Sequence, residues 1–408
     1  AIEWRNNRFN MKKNALLKNK KSLSDFADGY LYFGFHQKAE GWVYREWAPN
    51  AKSVFLIGDF NGWDRDATPL KPLGSGRWEV FLPGKKALPH GSRVKVHIKT
   101  KDQSFDRVPL YCKRVIQDKN TFAFDGQIWN PEQPYKWHDK AFHPDQSVPP
   151  LIYEAHIGIA GESPEVSTFK EFTQNTLPHI AGLGYNAVQL MAIMEHPYYA
   201  SFGYQVSNFF AVSSRFGTPE DLKALIDTAH HLGIAVILDL VHSHASRNVL
   251  DGIGEFDGTD YQFFHAGPEG DHPAWGSKVF NYDKPEVLHF LLSNIKFWLD
   301  EYHFDGFRFD GVTSILYHNH GLGVNFNSYD QYFSSNTDMS GLTYLQMASA
   351  LAKEIKPDCF LIAEDMSGLP GMALPVSQGG LGFDYRLGMG LPDFWIHTLR
   401  DLRDADWD

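Results

Sequence analysis

The sequence predicts an α/β fold: a (β/α)8 barrel, of which about six strands are present, preceded by an N-terminal immunoglobulin-like β-sandwich. Two observations lead to this prediction. From about Leu31 to Phe124, short runs of alternating apolar and polar residues are separated by turn residues, which is typical of an antiparallel sandwich. After about residue 150, apolar strand-like runs alternate with amphipathic helical stretches, which indicates a parallel sheet.

The first of these regions contains runs with the period-two alternation of β-strands. They are Val43–Trp47, Ser53–Ile57, Trp78–Leu82 and Val94–Ile98. Turn residues separate the runs, at Asn61-Gly62 and at Gly74-Ser75-Gly76. We therefore predict a β-sandwich module over residues 31–125.

Two segments flank this module. The lysine-rich opening, residues 1–30, has apolar positions at Leu16, Leu17 and Leu23, which predict a short surface helix with a solvated charged face. Residues 126–150 are rich in proline and are expected to form a linker. The predicted barrel domain then occupies residues 151–408.

Polar or acidic residues stand at the ends of several predicted barrel strands. The strand-like runs are 151–153, 187–190, 235–240, 306–309, 360–363 and 383–388, and the polar residues are Glu154, Asp239, Asp310 and Glu364. A (β/α)8 barrel carries its catalytic groups at these strand ends, although an open doubly wound sheet also places polar residues there. Because no glycine-rich phosphate loop follows the first strand, a nucleotide-binding sheet is less favoured.

The connection between the third and fourth predicted strands is unusually long. Residues 241–284 are rich in Gly, Asp, His and aromatic residues. Long connections in compact domains are usually functional or disordered. Since this one leaves the carboxyl end of the predicted barrel, we expect it to wall a substrate cleft.

Composition narrows the classes of function. The net charge is −11, from 38 Lys and Arg against 49 Asp and Glu, which disfavours a nucleic-acid or acidic-membrane partner. No apolar run is long enough to span a membrane, and no signal peptide is recognisable at the start. Cys112 and Cys359 can form one disulfide at most, which favours a reducing compartment.

Two predicted strand ends carry a charge pattern suited to glycoside chemistry. Side chains alternate along a strand, so Arg308 and Asp310 share one face, and the cation favours the ionised carboxylate that a nucleophile must be. Glu364 ends the next apolar run. Two carboxyl groups about 5 to 5.5 Å apart can flank one glycosidic bond in a retaining reaction. A purely structural Asp–Arg ion pair is the competing interpretation.

Two other segments are candidates for substrate contact. Asp239–His244 closes the third predicted strand, and Met194–Gln205 follows the second. Either could be a set of hydrogen-bonded core residues, and an aromatic cluster is more often core than ligand platform. The polar residues interleaved in Met194–Gln205 make a wholly buried segment improbable.

Several of these motifs together resemble the α-amylase superfamily of glycoside hydrolases and transferases. Asp239–His244, Gly306–Val312 and Ala363–Asp365 stand in the order of three superfamily motifs. The stretch His196–Leu222 is similar to eukaryotic-type glycogen and starch branching enzymes more than to amylases. Gly58–Trp63 is similar to a motif of the carbohydrate-binding module that accompanies them.

This resemblance implies Asp310 as the nucleophile and Glu364 as the acid/base of a retaining double displacement. It implies a donor-sugar subsite lined by Arg308, Asp239, His244, Tyr204 and His196. No metal or organic cofactor is implied. The implied partner is an α-1,4-glucan polymer (glycogen, amylose or amylopectin), and transfer to a 6-hydroxyl makes an α-1,6 branch. The implied location is the cytoplasm, or a plastid if the source is a plant or alga.

The sequence departs from the family pattern in one respect. The fourth superfamily motif, a His-Asp pair after the seventh strand, does not occur before Asp408. We expect the chain to be part of a longer protein and to be inactive by itself, because that Asp is the third carboxylate of the implied site.

Two alternatives to a branching enzyme remain open at this point. A debranching hydrolase of the same superfamily also carries the N-terminal module, although the Ser201–Gln205 stretch argues against it. A glucan-binding protein without catalysis is compatible with the sandwich, the aromatic residues and the missing carboxylate.

Overall fold

The N-terminal part of the chain folds as a β-sandwich. The structure is a computed structural model that describes residues 2–407. Nine strands make up the sandwich: β1 (Gly34–Lys38), β2 (Gly41–Trp47), β3 (Ser53–Gly58), β4 (Lys71–Gly74), β5 (Arg77–Pro83), β6 (Arg93–Lys99), β7 (Ser104–Arg107), β8 (Val115–Gln117) and β9 (Phe124–Gln127). One antiparallel sheet has the order β1-β2-β5-β4 and the other the order β3-β6-β9-β8, with β7 paired to β6. Buried side chains such as Tyr44 and Leu56 fill the space between the sheets.

The second part contains a curled parallel sheet. The strands in this part of the chain are β10 (Ile152–Ala155), β11 (Ala187–Leu190), β12 (Met194–Glu195), β13 (Asn208–Val212), β14 (Ala235–Leu240), β15 (Gly306–Phe309), β16 (Phe360–Ala363) and β17 (Tyr385–Arg386). Six of these pair in the order β10-β11-β14-β15-β16-β17, and β12 and β13 form a separate antiparallel pair. Parallel neighbours that follow chain order are the arrangement of consecutive barrel strands. Within residues 2–407 the sheet has these six strands and does not close into a full barrel. The predicted fold class, part of a (β/α)8 barrel preceded by a β-sandwich, is confirmed.

Helices flank the parallel sheet. They are α1 (Ile2–Leu17), α2 (Leu23–Phe26), α3 (Gly29–Tyr32), α4 (Phe169–Glu171), α5 (Leu177–Gly182), α6 (Pro219–His231), α7 (Pro285–Tyr302), α8 (Val312–Leu316), α9 (Met339–Ile355) and α10 (Gly390–Asp401), with a π-helical stretch at Phe172–Thr176 between α4 and α5. Helix α6 begins at a capping box in which Thr218 and Asp221 bond each other's backbone N–H groups. No helix within the described residues is long and apolar enough to cross a membrane.

The opening segment differs from its prediction. Helix α1 begins at Ile2 and buries Phe9 and Leu16, and it packs on α9, where Arg8 donates to the Met339 carbonyl at 3.3 Å. Leu23 belongs to a second short helix, α2. The segment therefore contains more than one helix, and α1 is longer than predicted. The apolar side chains of α1 pack against α9, a helix that is distant in sequence.

Both cysteines are buried as free thiols. Cys112 lies in the sandwich region and Cys359 precedes β16, and neither is in a disulfide. Burial raises the pKa of the Cys112 thiol to about 11 and that of Cys359 to about 12. These groups are thus held as neutral core residues.

Candidate active site

Strand register brings the predicted site residues to one edge of the parallel sheet. Asp239 of β14 is opposite Arg308 of β15, and the last residues of β15 and β16 are also paired. Asp310 and Glu364 each follow the end of their strand. Their N–H groups continue the ladder, each donating at 3.1 Å to the last carbonyl of the preceding strand in the sheet. All four side chains therefore emerge at the carboxyl end of neighbouring parallel strands.

Arg308 binds three carboxylates at once. Its Nη1 lies 2.7 Å from Asp239 Oδ1 and 2.8 Å from Asp310 Oδ1. Its Nη2 lies 3.0 Å from Glu364 Oε1. One planar guanidinium thus contacts both Asp310 and Glu364. The two carboxyl groups therefore lie on the same side of the sheet, no farther apart than one guanidinium can bridge.

The carboxylates have different electrostatic environments. Complete burial, with the nearby charge of Asp310, raises the pKa of Asp239 to about 7 despite the opposing effect of Arg308. Burial also raises the pKa of Glu364, again with a contribution from Asp310 and against the attraction of Arg308. Although burial works to lower the pKa of Arg308, the three carboxylates raise it above its ordinary value. The guanidinium is therefore a fixed positive charge.

Each of the two candidate catalytic carboxylates also has a hydrogen bond of its own. The Gly311 N–H donates to Glu364 Oε2 at 2.8 Å. The Ser243 hydroxyl donates to Asp310 Oδ2 at 3.3 Å. The burial that raises the pKa of Glu364 suits this carboxyl to the role of an acid beside Asp310.

Tyr204 lies against Asp239 and Arg308. Its hydroxyl donates to Asp239 Oδ2 at 2.6 Å, and its ring centre is 5.9 Å from Arg308 Cζ. The side chain reaches this position from a tight turn in which Phe202 has φ 53° and Gly203 has φ 91°. The turn presses the Gly203 backbone against the Ala192 carbonyl, so that a Cβ there would overlap its oxygen.

We predict that Gly203→Ala lowers the free energy of unfolding by about 2–3 kcal/mol, because the left-handed φ and the overlap both oppose a side chain. Gly184→Ala is the matched control, since Gly184 has φ 87° and open space around its Cβ position. Urea unfolding of both variants measures the difference. Equal losses in the two variants would show that φ alone matters and that the approach to Ala192 does not constrain the turn.

The two predicted histidines lie in different surroundings. His244 joins the group directly: its Nε2 contacts the Tyr204 carbonyl at 2.6 Å and its Nδ1 contacts the Ser243 hydroxyl at 2.8 Å. Both nitrogens are therefore engaged with protein, and donation to a sugar hydroxyl would require one of these bonds to be exchanged. His196 is 0% exposed, with Nδ1 2.8 Å from the Met194 carbonyl. It contacts none of the three carboxylates, so its place in the subsite stays a prediction.

Three features of the site were not predicted from the sequence. They are the Ser243 hydroxyl, the Gly311 N–H and the indole of Trp275, which makes an edge contact with His244 at 5.1 Å between ring centres. Trp275 lies in the connection 241–284 that the sequence singled out as a cleft wall. Its length and aromatic content were the available signal, but they did not distinguish Trp275 from the other aromatic residues there.

No cluster of three or more His, Cys, Asp or Glu side chains within residues 2–407 has a metal-binding arrangement. The implication that no metal or organic cofactor takes part stays a prediction.

Two family models match the chain. Residues 32–112 match "Carbohydrate-binding module 48 (Isoamylase N-terminal domain)", and residues 173–279 match "Alpha amylase, catalytic domain". The first lies on the sandwich and the second on the sheet that carries Asp239. With the strand-end carboxylates and their shared arginine, these matches define the class: the chain belongs to the α-amylase superfamily.

Curated relatives place it more closely within that class. A 1,4-alpha-glucan-branching enzyme of Dictyostelium discoideum is 50% identical over 98% of this chain and 60% of its own length. Those of Equus caballus (50% identical, 100% of this chain, 59% of the relative) and Yarrowia lipolytica (51% identical, 95% and 58%) match similarly. By sequence the chain is similar to branching enzymes over almost all of its length. It spans about 60% of the length of these relatives.

Solved structures resemble the fold at low sequence identity. The pullulanase from Bacillus acidopullulyticus superposes with a TM-score of 0.64 at 19% identity, covering 81% of this chain and 41% of its own. The Group B Streptococcus pullulanase SAP superposes with a TM-score of 0.64 at 21% identity, covering 84% and 48%. At these identities the likeness shows a shared fold alone.

Proposed function

We propose that the full-length protein is a 1,4-α-glucan branching enzyme that cleaves an α-1,4-glucan and transfers the segment to a 6-hydroxyl. The observation that carries this proposal is the single guanidinium of Arg308 that holds Asp310 and Glu364 together at adjacent strand ends. The substrate and the transfer reaction are inferred from the branching enzymes that the chain resembles.

In the proposed mechanism, Asp310 attacks C1 of the donor glucosyl unit and the bond from C1 to the leaving oxygen breaks. Glu364 gives its proton to that oxygen. The 6-hydroxyl of an acceptor chain then attacks C1, the bond to Asp310 breaks, and Glu364 takes up the acceptor proton. Two displacements retain the α configuration. Asp239 and Tyr204 would bind the donor sugar, and Arg308 would keep a positive charge beside the nucleophile throughout.

The raised pKa of Glu364 predicts the shape of the pH profile. Burial raises this pKa, so Glu364 stays protonated to a higher pH than an ordinary carboxyl. We expect kcat/KM for glucan to be kept below that pKa and lost as pH rises through it, with the alkaline limb above the usual carboxyl range. Initial rates from pH 5 to 9 measure the limb.

A donor that needs no proton provides the control for this prediction. With an α-maltosyl fluoride donor, fluoride leaves without acid assistance, so the same alkaline limb should disappear from the first step. If the limb persists unchanged with the fluoride donor, a group other than Glu364 sets it.

Iodine staining tests the proposed activity. Branching of amylose lowers iodine absorbance without releasing reducing ends, whereas a debranching or other hydrolase releases them in step with the reaction. Release of reducing ends in proportion to the loss of absorbance would overturn the transfer assignment in favour of hydrolysis.

The proposal extends to partner and location. The partner is an α-glucan polymer, and the sandwich supports it because this region matches a carbohydrate-binding module. The enzyme would act in the cytoplasm, or in a plastid in a plant or alga. Co-sedimentation with glycogen tests the partner.

A further inference from the structure

One aromatic side chain beside the candidate active site is partly exposed and stacked on one face only by a buried histidine. Trp275 is 41% exposed, although it lies between buried parts of the connection 241–284. Its ring is stacked on that of His272, with 4.0 Å between ring centres and planes only 5° apart. His272 thus covers one face of the indole, while the side chain as a whole stays partly exposed.

The protein holds this indole in a defined orientation. His272 is 2% exposed, and its Nδ1 accepts the N–H groups of Ala274 at 3.2 Å and of Trp275 at 3.1 Å. Burial, followed by the charges of His320 and His244, lowers the pKa of His272 to about 4. The imidazole of His272 is therefore neutral, and it stacks in parallel on the indole of Trp275. The Gln205 amide also donates to the Trp275 carbonyl at 3.2 Å, so both the ring and the backbone are fixed before any ligand arrives.

One edge of the indole lies next to Gly311, the residue whose N–H bonds Glu364. A Cβ on Gly311 would come within 3.1 Å of Trp275 Cη2 and within 2.8 Å of Ser243 Oγ. The same Gly311 donates its N–H to Glu364 at 2.8 Å. The ring of His244 also lies close, with its centre 5.1 Å from that of Trp275 and the planes 61° apart. The indole ring thus lies next to Gly311, which bonds Glu364, whereas Tyr204 bonds Asp239.

From this arrangement we propose that Trp275 is the stacking platform for the first glucosyl ring on the acceptor side of the cleaved bond. The apolar C–H face of a glucose unit would lie on the face of the indole that His272 does not cover, and this sugar would present its 6-hydroxyl to C1 beside Glu364. The proposal rests on the proposed transferase function and deepens it, because this subsite decides whether a glucan or water takes the glycosyl group. Trp275 is then a specificity-determining residue that acts in the second displacement.

The test separates the two displacements in the full-length protein. α-Maltosyl fluoride supplies the donor, so the burst of fluoride released in the first turnover reports formation of the glycosyl-enzyme without an acceptor-side sugar. A β-limit dextrin is added at increasing concentration as acceptor, and transfer products are measured against free maltose. Trp275→Ala should leave fluoride release within about twofold of wild type and raise the half-saturating acceptor concentration on the order of tenfold, the factor that about 1.4 kcal/mol of lost stacking gives.

Two variants complete the design. Trp275→Phe keeps an aromatic face and should stay within about threefold of wild type in acceptor concentration. Trp4→Ala makes the same substitution at a 54% exposed tryptophan on α1 and should behave as wild type. An unchanged acceptor dependence in Trp275→Ala, or slowed fluoride release with the acceptor dependence intact, would overturn the platform assignment. A wild-type protein that releases no fluoride and forms no transfer product would instead contradict the proposed function itself.

Discussion

Replacing Asp310 with alanine in the full-length protein is expected to lower the rate of glucan transfer by at least about a thousandfold. The reason is geometric: Asp310 is the carboxylate paired with Arg308 at 2.8 Å, and no other described carboxylate occupies its position at the end of β15. Glucan binding should be kept, because the sandwich and the Tyr204 side of the site are untouched. Iodine staining measures transfer and co-sedimentation with glycogen measures binding.

Chemical rescue distinguishes a missing nucleophile from a damaged site. Removing the carboxylate leaves space beside Arg308 into which a small anion such as azide can enter. With α-maltosyl fluoride as donor, azide attacks C1, fluoride leaves, and the product is the β-maltosyl azide, because only one displacement has taken place. Glu364→Ala is the matched control, since it removes the other carboxylate and leaves the nucleophile, so its product with azide should have the α configuration.

Two outcomes would contradict the nucleophile assignment. The first is an Asp310→Ala protein that still branches amylose at a comparable rate. The second is loss of glycogen binding together with a lower unfolding temperature and no rescue by azide, which would favour a structural ion pair between Asp310 and Arg308.

Replacing Arg308 with methionine should be among the most destabilising single changes in the molecule. The substitution removes the partner of three carboxylates, one of them 0% exposed. Breaking a buried ion pair from one side typically costs about 3–5 kcal/mol, because a buried charge is left uncompensated. Transfer should be lost as well. Urea unfolding measures the change in the free energy of unfolding.

The effect should depend on pH in a direction set by Asp239. Its pKa in the folded state is raised to about 7, above the ordinary value of 3.8, so the folded state binds more protons than the unfolded state between these values. Stability from this group is therefore greater at low pH and falls as pH rises toward 7. Without Arg308 the charged form of Asp239 loses its attraction, so the loss in Arg308→Met should be larger at pH 8 than at pH 5.

Two comparisons make this prediction specific. Arg65 forms an exposed pair with Asp106 at 2.6 Å, and Arg65→Met should cost about 1 kcal/mol or less at either pH. The double variant Arg308→Met with Asp239→Asn removes the uncompensated charge and should recover part of the stability. If Arg308→Met unfolds like Arg65→Met at both pH values, the three-carboxylate cluster does not carry the stability that its geometry implies.

Local pattern was enough to predict the fold class and the main elements. Alternation with period two marked the sandwich strands, and six apolar runs marked the strands of the parallel sheet. These periodicities depend on residues only a few positions apart, so they can be read without knowing the partner of any segment. The opening helix was described less well, because whether α1 lies free or packs on α9 depends on residues far along the chain. The division into segments at about residues 30, 125 and 150 stays a prediction.

For the candidate site as well, local sequence pattern predicted some features and long-range packing determined the others. The sequence by itself placed Asp310 and Glu364 at strand ends and put Arg308 and Asp310 on one face, because side-chain alternation is a local property of strands. Only the tertiary structure decided that Arg308 also reaches Asp239, that Gly311 bonds Glu364, that His196 is buried and that Trp275 lies next to Gly311 and His244. Each of these depends on the register between strands or on the path of a long connection, and long-range packing rather than local periodicity determines both.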